Sequence, residues 1–292
     1  MDQHHVLKFK DSSLYIAPQF GCNPIKLILN GQSILDGNET EELLKSDFLC
    51  KGDFLAPFPN RVCDGKYVFD GKEYQLEKNE TARGHALHGF IMKKEFALIS
   101  EESTDQYSRA IFSTDINSDE FTGYPFDISV TIVFILKENE LSIEMIGENR
   151  GEVNAPFGVG WHPYLTVGKK IDECMLRIPA QSILETDSVK ELIPTGQHKV
   201  NEFGSLRRQI GATFFDTCFV DLTDHTIQFE NIELFMDETM NFIQSYTPDE
   251  RTSIAIEPMS CAPDAFNSGL GLTVLKPGEM ATHRFGLRLT HV

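Results

Sequence analysis

Between Ile128 and Met145 the chain alternates with a period of two: Ile128, Val130, Ile132, Phe134 and Leu136, then Leu141, Ile143 and Met145. Successive side chains of a strand point to opposite faces, so each run buries one face and wets the other. Lys137-Glu-Asn-Glu140 joins the two runs, as a connection between antiparallel neighbours would. The same signature recurs along the chain. Asn30-Gly31 divides Lys26–Leu29 from Gln32–Leu35, and Asp70-Gly71 divides Lys66–Phe69 from Lys72–Leu76. Both dipeptides suit primed two-residue hairpin turns. Further strands are expected at 174–178, 214–222, 226–229, 232–236 and 242–246, and a final hairpin at 273–290. The run Thr252–Glu257 reads as a strand that ends at an acid before Pro258. Helical signals are sparse: a short helix over Gly37–Asp47 and a weak turn near Asp187–Leu192. Thr195–Ile210 reads as a polar loop. Strands that alternate with turns rather than helices exclude a parallel α/β sheet. The expectation is an all-β fold, a large antiparallel β-sandwich, formed by one domain over residues 1–292.

Composition narrows the function. With 292 residues, 41% of them hydrophobic, the chain buries a large core without disulfide or metal staples. Asp and Glu number 44 against 26 Lys and Arg, a formal charge of -18. That field repels nucleic acid and anionic membranes, so neither is expected as a partner. The six cysteines carry no zinc-binding spacing, and no stretch has the length of a membrane span or the form of a leader, so a cytoplasmic protein with free thiols is expected.

The segment Asn154–Leu165 is too irregular for a plain strand: it holds Gly158, Gly160, Trp161, His162 and Pro163. Pro163 biases His162 toward an extended backbone. The two glycines leave room for something to approach the backbone, and Trp161 offers a flat apolar face to a sugar ring beside a titratable imidazole. Four polar residues share unusual settings: Arg61 after Pro59-Asn60, His88 before a glycine, and His162 and Glu257 before prolines. Taken singly, each has a plain structural role: a surface ion pair, a turn histidine, a core histidine, a strand-end carboxylate. His85 and His88 have a spacing that could hold a metal on a helix, but Gly84 and Gly89 argue for a loop, so no metal site is expected.

Their joint order is more specific. Asn60-Arg61-Val62, Leu87-His88-Gly89, His162-Pro163-Tyr164, Asp216-Thr-Cys-Phe219 and Glu257-Pro258 follow one another in a sequence that resembles the aldose 1-epimerases (mutarotases), from about Gly21 to the C-terminus. The resemblance implies a galactose mutarotase-like supersandwich with a sugar cleft across one sheet. It implies Glu257 as general base, His162 as general acid, His88 assisting at the ring, and Arg61 and Asp216 holding sugar hydroxyls. Two departures bear on substrate: Phe90 follows Gly89 where a second glycine is expected, and Gly160–Tyr164 is closer to a bacterial branch somewhat like the hexose-6-phosphate epimerases.

These residue types suit the reaction. Anomers interconvert by ring opening, which needs a base on the O1 proton and an acid at the ring oxygen. Closure on the other face reverses the roles, and no cofactor, metal or covalent nucleophile is required. The expected substrate is a small free aldose, and the expected assembly a monomer or homodimer. The alternatives are a hexose-6-phosphate 1-epimerase, for which Arg61, Arg83 and Lys93-Lys94 are the basic candidates, and a non-catalytic sugar-binding module. A glycosidase would need a second carboxylate such as Asp216 or Asp264.

Overall fold

In the computed structural model, residues 4–46 and 49–290 are described. Antiparallel pairing accounts for every large sheet. The expected pair is present as Ile128–Leu136 and Glu140–Asn149, in continuous register from Ile128↔Asn149 to Leu136↔Leu141. These strands are central in a nine-stranded sheet that also holds Ser108–Ile116 and the long C-terminal strand Met280–Leu289. Both primed hairpins form, with positive φ at Asn30, Gly31, Asp70 and Gly71.

The second large sheet carries Asp216, Gln244 and Glu257. Its order runs Pro194–Val200, Ala180–Thr186, Asp216–Leu222, Phe242–Tyr246, Ile254–Met259, Gly160–Trp161 and Phe54–Leu55. One face packs on the nine-stranded sheet through aromatic contacts: Phe54 to Phe134 at 5.9 Å and Trp161 to Phe285 at 5.8 Å between ring centroids. Alternation then sorts each strand. Phe219, Ile243, Ile254 and Ile256 enter this main core. Cys218, Val220, Phe242 and Met259 point the other way, into a smaller apolar cluster. Gln244 and Glu257 share that second face by the same period of two.

Several local expectations are corrected. Thr195–Ile210 is not a loop throughout: Pro194–Val200 forms an edge strand and Arg208–Gln209 a short one. An edge strand exposed on both faces has no apolar period to announce it, and Thr195–Val200 is exposed throughout. The strand at Glu257 does not stop before Pro258 but runs from Ile254 to Met259. Proline is tolerated because the neighbouring ladder is already broken there: Gly160 pairs with Met259 and Tyr164 with Ala255, leaving His162-Pro163 as an interruption opposite. The helix near 37–47 is confined to Glu41–Ser46, and Asp47 lies outside the described residues. Residues 187–192 form a turn with no helix.

Candidate active site

Glu257, Gln244 and Cys218 lie in one row across three neighbouring strands, Gln244 opposite Glu257 and Cys218 opposite Gln244. Asp216 lies two residues along on the same face and accepts a hydrogen bond from Gln244 Nε2 at 3.0 Å. The interrupted strand drops His162 onto this row, with Nε2 3.3 Å from Glu257 Oε1. His162 is also stacked on Tyr164, 5.3 Å between centroids and 10° between planes, which fixes the ring.

His88 and Arg61 come from a separate two-stranded ladder, Arg61–Val62 with Ala86–Leu87. His88 has φ of 65°, and its Nδ1 accepts the Asn60 backbone N–H at 3.2 Å. That donor fixes the neutral tautomer with the proton on Nε2. The His88 ring meets His162 edge-on at 5.4 Å. Gly89 is required behind it, since a Cβ there would lie 2.2 Å from the Ala56 carbonyl oxygen. Arg61 is held by Glu80 through Nε–Oε2 and NH2–Oε1 bonds of 2.9 Å each, and its NH1 donates to Asn60 Oδ1 at 3.2 Å.

The five residues singled out from the sequence therefore converge on one cleft. Asn60, Arg61, Asp216, Cys218 and Gln244 line a small pocket, together with Thr186, Leu192 and Pro194. The acid–base candidates are nearly dry, with Glu257 only 1% exposed and His162 and His88 6% each. His162 Nδ1 and Glu257 Oε2 are buried with no hydrogen-bond partner. An orphaned acceptor or donor at such depth costs about 1–3 kcal/mol and calls for a functional account.

Burial dominates the electrostatics. It pushes the Glu257 carboxyl well above the carboxylate range; the Asp216 charge adds to this and Arg61 opposes it. Burial brings His162 down to about 3. His88 is also held well below its ordinary value, by burial first and then by His162 and Arg61. Asp216 is raised by burial, against the pull of Arg61 and Arg83. Burial thus favours neutral His88 and His162 and the protonated form of Glu257, which lies 3.3 Å from an imidazole nitrogen.

One sequence expectation fails here. Trp161 faces the core, not a sugar: it is fully buried, lies 6.0 Å from Phe54, and donates Nε1–H to Gly52 O at 3.1 Å. Adjacent residues of an extended chain face opposite ways, so placing His162 in the cleft sends Trp161 inward. Gly158 and Gly160 admit the protein's own chain, since added Cβ atoms would lie 2.4 Å from Cys261 Sγ and 2.9 Å from Pro59 Cβ. Asp264 serves the backbone, accepting from Cys63 N–H at 2.8 Å and Asn267 Nδ2 at 2.7 Å. His85 does not join His88 around a metal, because its Nδ1 faces Asp64 N at 3.1 Å and its Nε2 faces Lys190 O at 3.2 Å. Sequence reasoning missed Gln244 and Glu80. A buried glutamine within the apolar strand Phe242–Tyr246 was the available signal for the first; nothing local marked the second.

The aldose 1-epimerase family model matches residues 4–288. The chain belongs to that family. The uncharacterized protein YihR of Escherichia coli K12 is 33% identical over 271 residues, covering 89% of this chain and 84% of its own. The galactose mutarotase of Bos taurus is 25% identical over 150 residues, 50% of this chain and 41% of its own. Among solved structures, a galactose mutarotase-like protein from Clostridium acetobutylicum superposes with a TM-score of 0.86 at 19% identity, covering 98% and 95% of the two chains. A GalM/aldose epimerase homologue from Caenorhabditis elegans gives a TM-score of 0.85 at 20% identity, covering 100% of both chains. These likenesses establish the galactose mutarotase-like fold. No helix among the described residues is long and apolar enough to cross a membrane.

Proposed function

We propose that the protein is an aldose 1-epimerase that interconverts the α and β anomers of a free hexose. The observation that carries this reading is the Glu257–His162 pair: 3.3 Å apart, nearly dry, each with an unpartnered polar atom, beside the lining residues Arg61, Asp216 and Gln244. One proton shared between two groups supplies one donor and one acceptor at once. Glu257 takes the O1 proton while His162 gives a proton to the ring oxygen, the C1–O5 bond breaks, and the C1 carbonyl forms. After rotation about C1–C2, O5 attacks the other carbonyl face, returns its proton to His162, and O1 regains the proton from Glu257. Proton transfer from Glu257 to His162 before opening gives the roles their charge, and hydroxyl donors arriving with the sugar favour the carboxylate. Neutral His88 offers Nε2–H near the ring, while Arg61, Asp216 and Gln244 hold hydroxyls.

A neutral aldose is favoured over a hexose 6-phosphate. Arg61 and Arg83 are both engaged by Glu80, and Lys94 pairs with Glu120, so these basic candidates are already balanced. The test is polarimetry or NMR of freshly dissolved α-D-glucose and α-D-galactose, with glucose 6-phosphate alongside and Glu257→Gln as the blank. Acceleration with a free sugar, lost in the variant, supports the proposal. Acceleration with the phosphate alone moves the substrate, and saturable binding without acceleration makes the protein a sugar-binding module.

A further inference from the structure

Arg61 is the one strongly basic group among the residues lining the cleft, yet most of its fork faces away from the substrate space. Two of its nitrogens meet Glu80 in parallel bonds of 2.9 Å, and both side chains are only 10% exposed. Parallel bonds to a planar guanidinium fix its plane as well as its position. Glu80 is itself anchored. Its N–H donates to His85 O at 3.1 Å, and its carbonyl accepts from Gly84 N at 2.7 Å, closing a small loop next to the ladder that carries Arg61. Glu80 Oε1 also accepts from Arg83 NH1 at 2.9 Å, and Arg83 reaches Glu191 at 3.0 Å, next in sequence to the lining residue Leu192.

We propose that Glu80 is a positioning residue: it locks the Arg61 guanidinium against the cleft wall and cancels its charge, so that Arg61 meets the sugar as a directional donor and not as a free cation. This rests on the mutarotase reading for its purpose, though not for its first test. Burial alone would raise the Glu80 carboxyl, but the bonds from Arg61 and Arg83 outweigh it and hold it below the ordinary range. Glu80 therefore stays ionised and gives no proton, which separates it from Glu257. Its influence reaches Glu257 through Arg61. The other groups that act on that carboxyl are His162, Asp216 and the Cys218 thiol, with His88 behind His162. Removing the Glu80 charge leaves Arg61 uncompensated, and a cation favours the ionised form of a nearby carboxyl.

The first experiment follows the carboxyl carbon of Glu257 by NMR in protein labelled with ¹³C at glutamate side chains. In Glu80→Gln the Glu257 midpoint is expected to fall by about half a pH unit or more at low salt, because the Arg61 field is no longer balanced. In Glu80→Asp, which keeps the charge but cannot reach both nitrogens, the midpoint stays put while affinity for the neutral sugar weakens roughly tenfold, as the fork is lost. An unmoved midpoint in a folded Glu80→Gln overturns the proposal, even if the melting temperature drops, since that pattern belongs to a merely structural residue. Unchanged sugar affinity in Glu80→Asp overturns it as well, and this arm stands if the Gln variant does not fold. Failure of the wild type to accelerate anomer exchange sinks the mutarotase reading separately, while the carboxyl titration still decides on Glu80.

Discussion

Replacing Glu257 by glutamine keeps the shape of the side chain and removes its proton chemistry, so two consequences separate cleanly. Loss of a positioned acid–base group typically costs about 10²–10⁴-fold in rate, equivalent to roughly 3–5 kcal/mol of barrier. Anomer exchange measured by NMR should fall by that range while sugar still binds. The second consequence is a gain in stability. A carboxyl whose folded pKa is raised contributes full stability below its unfolded value, near 4.5, and loses it as pH climbs toward the folded value. Each pH unit in that window costs the wild type about 1.4 kcal/mol, and glutamine, which does not titrate, is spared it. The variant's advantage in urea or thermal unfolding should therefore be small near pH 4.5 and grow as pH rises above it. A melting difference that is flat over this range would refute the account of a dry, neutral carboxyl. Turnover within tenfold of wild type would refute the base assignment, whatever the stability curves show.

Trp161→Phe should leave anomer exchange within a few-fold of wild type yet destabilise the protein by about 1–3 kcal/mol, since it removes a buried hydrogen bond and part of a core stack; a large catalytic defect with unchanged stability would put the ring back in the cleft. His162 and His283 are depressed to about 3 and about 4, so their contribution to stability is complete above pH 6.5 and is lost as pH falls toward those values. His283→Asn should accordingly flatten the stability loss between pH 6 and 4 by up to about 1.4 kcal/mol per pH unit; parallel curves for the two proteins would count against the buried neutral state of His283. Because Thr186, Leu192 and Pro194 line the pocket, amide hydrogen exchange over 187–193 should slow when a sugar is bound, with exchange in Ile254–Met259 unaltered.

The all-β architecture was legible because alternation is local: Ile128 to Leu136 declares which face is wet within nine residues, and Asn30-Gly31 and Asp70-Gly71 declare their turns within two. Arg61, His88, His162, Asp216 and Glu257 were legible through their order along the chain, which the family resemblance turned into a set. Pro194–Val200 was not, because an edge strand wet on both faces has no pattern to read. Trp161 was misplaced for a related reason: which of two adjacent residues faces a cleft depends on where the neighbouring strand pairs, and the break at His162-Pro163 sets that register.

The sequence by itself thus determined that the strands exist, where they turn, and which residue types are present for acid–base chemistry. Tertiary structure alone decided that Glu257 and His162, 95 positions apart in chain order by subtraction of their numbers, lie 3.3 Å from each other. It also recruited Gln244 and Glu80, whose roles depend on partners in other strands and loops. The physical reason is that hydrogen bonds and desolvation act through distance in space. A carboxyl becomes a buried acid, or a clamp on an arginine, only once distant segments have excluded water from around it.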